Sequence, residues 1–219
     1  FFEHRVLRRP FSVFNAVPEK NLLSIVYKVV GEGTLHLSRL RPETEVDVLG
    51  PLGSAFSIPG VETTPILVAG GYGCAATYLL AARSPVRVRA LLGARTGDDV
   101  LLEDAFEERG ARVEIATEDG SRGLQGMVTD LLKKALSEAP RTPRIYACGP
   151  MPMLRAVSDI VLAQHFDAEL SLDHIMACGM GACRACVVKM KSDNEQGWEY
   201  VRTCTEGPVF HASRVDWEE

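Results

Sequence analysis

Six cysteines stand in the chain: Cys74, Cys148, Cys178, Cys183, Cys186 and Cys204. Four of them crowd toward the carboxyl end. The run Cys178-Gly-Met-Gly-Ala-Cys183-Arg-Ala-Cys186 spaces its thiols as C-x4-C-x2-C, and Cys204 follows 18 positions later. That is the plant-type spacing of a 2Fe–2S cluster. Such a cluster needs four thiolates, two on each iron. Gly179 and Gly181 let the loop wrap tightly and turn backbone N–H groups toward the sulfurs. Structural zinc is the competing reading. Zinc sites more often use two C-x2-C-like pairs, whereas here three cysteines share one loop. Four unrelated free thiols are the blandest reading. A secreted disulfide scaffold would be shorter and would lack so large an apolar core, so the cysteines point to a metal site in a reducing compartment.

A second chemistry sits in Ile66-Leu-Val-Ala-Gly70-Gly71-Tyr-Gly73-Cys-Ala-Ala76, read as a strand, a glycine turn and a helix start. Gly71 to Ala76 fits G-x-G-x-x-A. Such a turn lets backbone approach a pyrophosphate while the helix start supplies N–H groups. A tight turn without ligand is the alternative. The acidic residue expected about 20 positions on is replaced by Gly93-Ala-Arg95-Thr-Gly-Asp98, which argues against an ordinary Rossmann site. Arg95 suits a 2′-phosphate or a plain ribose neighbourhood, so NAD and NADP both stay open. Tyr146-Ala-Cys148-Gly149-Pro150 ends another strand, where Gly-Pro shapes a ligand-side turn or only a connector. Cys148 is equally plausible as a core cysteine.

Arg9-Pro10-Phe11-Ser12 places a guanidinium, a ring and a hydroxyl within four residues. On a strand, Arg9 and Phe11 would share one face. Arginine reads phosphate bidentately, although an exposed arginine is the plainer reading. Gly31-Glu-Gly33-Thr34 offers N–H groups and a hydroxyl, for a diphosphate or for a hairpin turn.

Three regions must position these groups. Residues 1 to 60 read as β-rich, with strands expected at 21–30 and 45–49, no helix, and many prolines. Sixty residues make a thin barrel, and residues are expected to be missing before Phe1 or within the opening segment. Residues 61–164 alternate strand and helix four times. That predicts a parallel sheet with helices on both faces and ligands at the strands' carboxyl ends. Residues 165–219 break the rhythm and hold the cysteines as a small metal-organised subdomain. The 219-residue chain is 46% hydrophobic, 24% charged and carries a net charge of −5. No dense basic block is present, which argues against nucleic acid or anionic lipid as the main partner. Residues 63–82 carry no charge, but their glycines split the run into a short strand and a short helix, so no membrane span is expected. No secretory signal is expected.

The order R-P-F-S, V-Y-K…G-E-G-T, A-G-G-Y-G, A-C-G-P-M, then C-x4-C-x2-C resembles the ferredoxin-reductase-like superfamily. Within it, the chain is similar almost throughout to the electron-transfer subunits of bacterial dihydroorotate dehydrogenase B, iron–sulfur flavoproteins. Leu49-Gly-Pro-Leu-Gly53, 146–154 and 176–189 are the most specific stretches. The resemblance implies an FAD-binding β-barrel, incomplete here, then a NAD-binding α/β domain and a 2Fe–2S domain. By motif, Arg9, Pro10, Phe11, Ser12, Val26, Tyr27 and Lys28 would contact FAD, with Gly33 and Thr34 at its pyrophosphate. Gly70, Gly71, Gly73, Cys148, Gly149 and Pro150 would flank the nicotinamide nucleotide. Cys178, Cys183, Cys186 and Cys204 would hold the cluster. Relatives usually carry a proline just after the glycine turn; Ala75-Ala76 stands here. The family implies an FMN-containing catalytic subunit as partner, in a cytoplasmic heterotetramer of pyrimidine biosynthesis. That partner oxidises dihydroorotate, and its electrons reach NAD+ through the cluster and FAD.

Two other functions compete. One is the same machinery with another partner, as in sulfide dehydrogenase or ferredoxin:NADP reductase subunits, where aspartate often replaces the first cysteine; Cys178 is present here. The other is a non-catalytic binding module stabilised by zinc. Trp198, Tyr200 and Trp217 read as packing residues or a partner surface, and Arg184 as an exposed arginine or a contact to an acidic or FMN-bearing partner.

Overall fold

The computed structural model describes residues 7–139, 141–172 and 175–218. The opening six residues, on which part of the expectation of missing barrel strands falls, lie outside the described residues. In the N-terminal region, β1 (Val13–Val17) and β2 (Leu22–Ile25) form a two-stranded antiparallel pair. The strand expected at 21–30 is thus only four residues long, and 45–49 is not a strand. A short helix, α1 (Glu32–Leu37), forms where none was expected. The Thr34 hydroxyl explains it: Thr34 Oγ1 accepts the N–H groups of Val30 (3.0 Å) and Gly31 (3.2 Å), closing the first turn. Residues 8–12 are not in a strand, so the shared face expected for Arg9 and Phe11 has no sheet behind it.

The central unit is a seven-stranded sheet. It contains β3 (Thr63–Gly70), β4 (Arg89–Ala94), β5 (Arg112–Thr117), β6 (Leu124–Gln125), β7 (Thr142–Gly149), β8 (Asp167–Leu172) and β11 (Val209–His211), in the order β11-β8-β7-β3-β4-β5-β6. All neighbours are parallel except β11, which runs antiparallel to β8. The β-α rhythm therefore runs one strand past residue 164, because β8 pairs with β7 in continuous register from Arg144 to Gly149. Four helices cover the sheet: α2 (Gly73–Arg83), α3 (Glu103–Glu108), α4 (Val128–Glu138) and α5 (Met151–Ala163). Alternating strand residues feed two cores. Ile66, Val68, Leu91 and Ile145 pack with Leu132 and Leu136 of α4 and Leu154 and Val157 of α5. Leu67, Ala69 and Tyr146 pack with Tyr78 of α2 and Phe106 of α3 on the other face.

The chain steps outward from β3 through β4, β5 and β6, then returns to lay β7 on the other side of β3. The carboxyl ends of β3 and β7 are therefore a topological switch point, where open α/β sheets bind ligands. The N-terminal unit lies against this region: Phe14 of β1 stacks on Tyr78 of α2 (centroids 4.3 Å), and Phe56 meets Tyr146 edge-on. Past β8, the hairpin β9 (Val187–Lys191) and β10 (Trp198–Arg202) follows the cysteine loop. Among the described residues, no helix is long and apolar enough to cross a membrane.

Candidate functional site

The cysteine loop is shaped by left-handed residues. Gly179 (φ 70°), Gly181 (φ 85°) and Arg184 (φ 56°) all lie in the αL region, so the backbone curls around Cys178. The N–H of Cys183 donates to Cys178 Sγ at 3.4 Å, and the nearby N–H groups of Met180 and Ala182 add to its effect on that thiol. These donors favour the thiolate, and the Cys178 thiol falls to about 6. The N–H of Ala185 donates to Cys183 Sγ at 3.5 Å. Cys186, at the foot of β9, and Cys204, just after β10, are both buried with their sulfurs 3.2 Å apart. Burial and the facing Cys186 sulfur push the Cys204 thiol up. For Cys186 burial acts upward most strongly, yet the hydrogen bonds from Cys204 and Thr203 together outweigh it and the thiol is lowered.

The four cysteines therefore form two pairs, Cys178 with Cys183 and Cys186 with Cys204, close enough for Cys178 to act on Cys204 electrostatically. Among the described residues, no three Cys, His, Asp or Glu side chains are gathered as a ready metal site. A tetrahedral zinc needs all four sulfurs about 2.3 Å from one ion. Two thiolate pairs fringed by N–H donors instead suit a binuclear cluster with two ligands on each iron. The donor set fits a 2Fe–2S cluster.

At the switch point the two glycine loops interlock. A Cβ on Gly73 would lie 2.9 Å from the Gly149 nitrogen and closer still to the Cys148 carbonyl. A Cβ on Gly70 would meet Met153 Sδ at 2.7 Å and Pro150 Cδ at 2.9 Å, and one on Gly149 would lie 3.0 Å from the Gly70 nitrogen. Gly71 is left-handed (φ 53°) with open space where its Cβ would be, and its N–H donates to the Gly93 carbonyl. Gly70 and Gly73 are thus brought against Cys148, Gly149 and Pro150, with Gly71 between them facing open space. Cys148 and Cys74 are buried, and burial pushes the Cys74 thiol up to about 12. Arg95 stands exposed beyond β4, its carbonyl accepting the Asp119 N–H.

In the N-terminal unit the sequence-predicted residues partly meet. Arg9 crosses to the α1 turn, so that a Cβ on Gly33 would lie 2.9 Å from its Nε. The Phe11 and Tyr27 rings sit 5.5 Å apart and tilted by 55°. Pro10, Ser12, Val26 and Lys28 lie in irregular backbone alongside. Leu22 and Leu23 of β2, and Val46 and Val48 in the irregular segment after α1, are exposed. Of the carboxyl-terminal aromatics, Trp217 Nε1 donates to buried Ser158 of α5 (3.1 Å), while Tyr200 is exposed and Trp198 packs under Lys189.

Sequence reasoning missed two features. The Leu49–Gly53 motif meets the cysteine subdomain: the Ser54 N–H donates to the Gly207 carbonyl (2.5 Å), and Gly53 is left-handed with no room for a Cβ, which would strike that same carbonyl. The other is the pair Arg202–Glu206. Arg202 Nη2 donates to Glu206 Oε1 at 2.6 Å, and Arg202 Nη1 donates to the Gly181 carbonyl at 3.3 Å. Its only signal in the sequence was the i, i+4 spacing of opposite charges.

The parallel sheet with its switch-point loops and the paired-thiol subdomain define an oxidoreductase of ferredoxin-reductase-like fold carrying an iron–sulfur domain. The family model for the iron–sulfur cluster binding domain of dihydroorotate dehydrogenase B matches residues 173–216. The electron transfer subunit of dihydroorotate dehydrogenase B (NAD(+)) from Fusobacterium nucleatum is 40% identical over 222 residues, covering 99% of this chain and 82% of that one. The corresponding subunit of Shouchella clausii is 40% identical over 97% of this chain and 81% of its own length. The structure of an NADH-dependent reduced ferredoxin–NADP oxidoreductase, described for flavin-based electron bifurcation, superposes with a TM-score of 0.81 at 31% identity over 96% of this chain and 75% of that one. The cytochrome b5 reductase domain of Ulva prolifera nitrate reductase, at TM-score 0.57 and 21% identity over 72% of this chain and 73% of its own, shares the fold. The chain belongs to the family of dihydroorotate dehydrogenase B electron transfer subunits.

Proposed function

We propose that this chain carries electrons from dihydroorotate oxidation, performed by an FMN-containing catalytic subunit, to NAD+ in pyrimidine biosynthesis. The carrying observation is the resolution of four cysteines into two thiol pairs, each sulfur of the first pair met by backbone N–H groups. In this reading Cys178, Cys183, Cys186 and Cys204 hold a 2Fe–2S cluster. Arg9, Pro10, Phe11, Ser12, Val26, Tyr27 and Lys28 bind FAD, with Gly33 and Thr34 at its diphosphate. Gly70, Gly71, Gly73, Cys148, Gly149 and Pro150 receive the nicotinamide nucleotide. Bound together, the flavin supplies hydride exchange with the nicotinamide and single-electron exchange with the cluster.

The protein's part is placement. Interlocked glycine loops keep side chains out of the switch-point crevice so that the dinucleotide can reach backbone N–H groups. The Ser54–Gly207 contact and the hydrogen bonds from Ser57 to Glu169 tie the end of the flavin region to the sheet and to the cysteine subdomain. The domains follow as 1–60 for FAD, 61–164 for the nucleotide and 165–219 for the cluster, with β8 and β11 as the seam between the last two. A cytoplasmic heterotetramer with the catalytic subunit is the working assembly.

The test is anaerobic purification with and without the catalytic subunit. The reading expects FAD, two irons and two labile sulfides per chain, bleaching by NADH, and co-purification of the FMN subunit with dihydroorotate-dependent NAD+ reduction. A colourless protein holding one zinc would overturn it.

A further inference from the structure

We propose that Arg202 and Glu206 form a charge clip that sets the reduction potential of the cluster, Arg202 raising it and Glu206 lowering it. The inference rests on the reading that the four cysteines hold a 2Fe–2S cluster.

The geometry centres on one peptide plane. Arg202 Nη1 donates to the Gly181 carbonyl at 3.3 Å. The N–H of that same peptide unit, on Ala182, is near enough to Cys178 to favour its thiolate. The preceding N–H, on Gly181 itself, does the same for Cys204. A guanidinium on the carbonyl side therefore fixes and polarises a peptide whose donor end lies near a cluster sulfur. Arg202 also lies close enough to Cys186 and Cys204 to interact with their charge. Gly181 is left-handed and closely covered by Thr205 Cγ2, so the loop is held against the 202–207 turn.

Glu206 counters this charge. Its carboxylate takes Arg202 Nη2 at 2.6 Å and Nε at 3.1 and 3.2 Å, the Arg202 backbone N–H at 3.0 Å and the Thr205 hydroxyl at 2.7 Å. Thus one cation and one anion are locked in fixed orientation at the edge of the cysteine loop, the cation reaching into it. Reduction adds one electron to an already anionic cluster. A fixed positive charge and nearby N–H donors favour the reduced form, and a fixed negative charge opposes it. Arg202 is a positioning residue here, since it acts through the Gly181–Ala182 peptide and through space.

The experiment is an EPR-monitored redox titration of the iron-loaded protein, wild type against R202Q, R202K, E206Q and the double variant R202Q/E206Q. R202Q is expected to weaken the one-electron reduction equilibrium about tenfold, or about 59 mV more negative. E206Q is expected to move it the opposite way, R202K to keep most of the wild-type value, and the double variant to return toward it. A purely structural clip would lower thermal stability in both single variants without opposite potential shifts. Potentials that move in the same direction, or by less than about twofold, at full iron content refute the proposal. If R202Q fails to hold iron, E206Q and R202K still decide the sign. Absence of iron from the wild type refutes the cluster reading itself, which the iron assay shows before any titration.

Discussion

Gly73→Ala should be among the most damaging single-methyl changes in the molecule. The added carbon would sit 2.9 Å from the Gly149 nitrogen and nearer still to the Cys148 carbonyl. Ordinary contact begins at 3.4 Å, so clearing the Gly149 nitrogen alone takes about 0.5 Å and clearing the Cys148 carbonyl takes more than that, and the atoms in the way are backbone rather than a swinging side chain. Overpacking of this kind costs about 1–3 kcal/mol in global stability, here at the upper end. The functional loss is larger, because displacement on the scale of 1 Å between reacting partners can cost about a hundredfold in rate. Gly71→Ala is the control. It meets open space and carries only the strain of its φ of 53°, about 1 kcal/mol. The assays are thermal unfolding and stopped-flow reduction of the bound flavin by NADH. G73A should lower the reduction rate by about a hundredfold while G71A loses far less. Equal rates in G73A and wild type would refute the claim that these loops abut and shape the nucleotide site.

Other outcomes follow from the same packing and pairing. Cys204→Ser removes one sulfur of the buried pair 3.2 Å apart, and iron per chain measured by metal analysis should fall sharply. For Glu114, burial raises the carboxyl but hydrogen bonds and attraction from Arg89 outweigh it, so the group titrates below its ordinary 4.5. Its contribution is full above about pH 4.5 and is lost as pH falls further. Arg89→Met should cost about 2–4 kcal/mol at neutral pH. It should also shrink that acid-side loss, because the carboxyl then keeps only Arg112, 3.3 Å away, as an ion-pair partner; denaturant melts at pH 3.5 and 7 read both. Ser158→Ala removes the acceptor of the Trp217 indole and should destabilise the chain by about 1 kcal/mol, seen in the same melts.

The cysteine spacing was legible because C-x4-C-x2-C is a local signature: Gly179 and Gly181 curl a short loop, and little beyond it is needed to bring Cys178 and Cys183 together. The four β-α repeats were legible for a similar reason, since apolar runs of strand length and helix length alternate along the sequence, and the observed β3, β5, β7, α2 and α5 fall where those runs lie. The N-terminal unit was not. Its strand at 21–30 shrank to Leu22–Ile25, and α1 arose from a threonine cap that composition does not reveal. Strand propensity alone cannot make a sheet; it needs pairing partners. What the sequence determined by itself was local: which thiols share a loop, which glycines make turns, and which segments are strands of a parallel sheet. The tertiary structure decided the long-range meetings. It set Gly73 against Cys148, Gly53 against Gly207, Cys186 against Cys204, and Arg202 against the Gly181 carbonyl. Such contacts join residues tens of positions apart, and only the packing of the whole sheet fixes the distance between them.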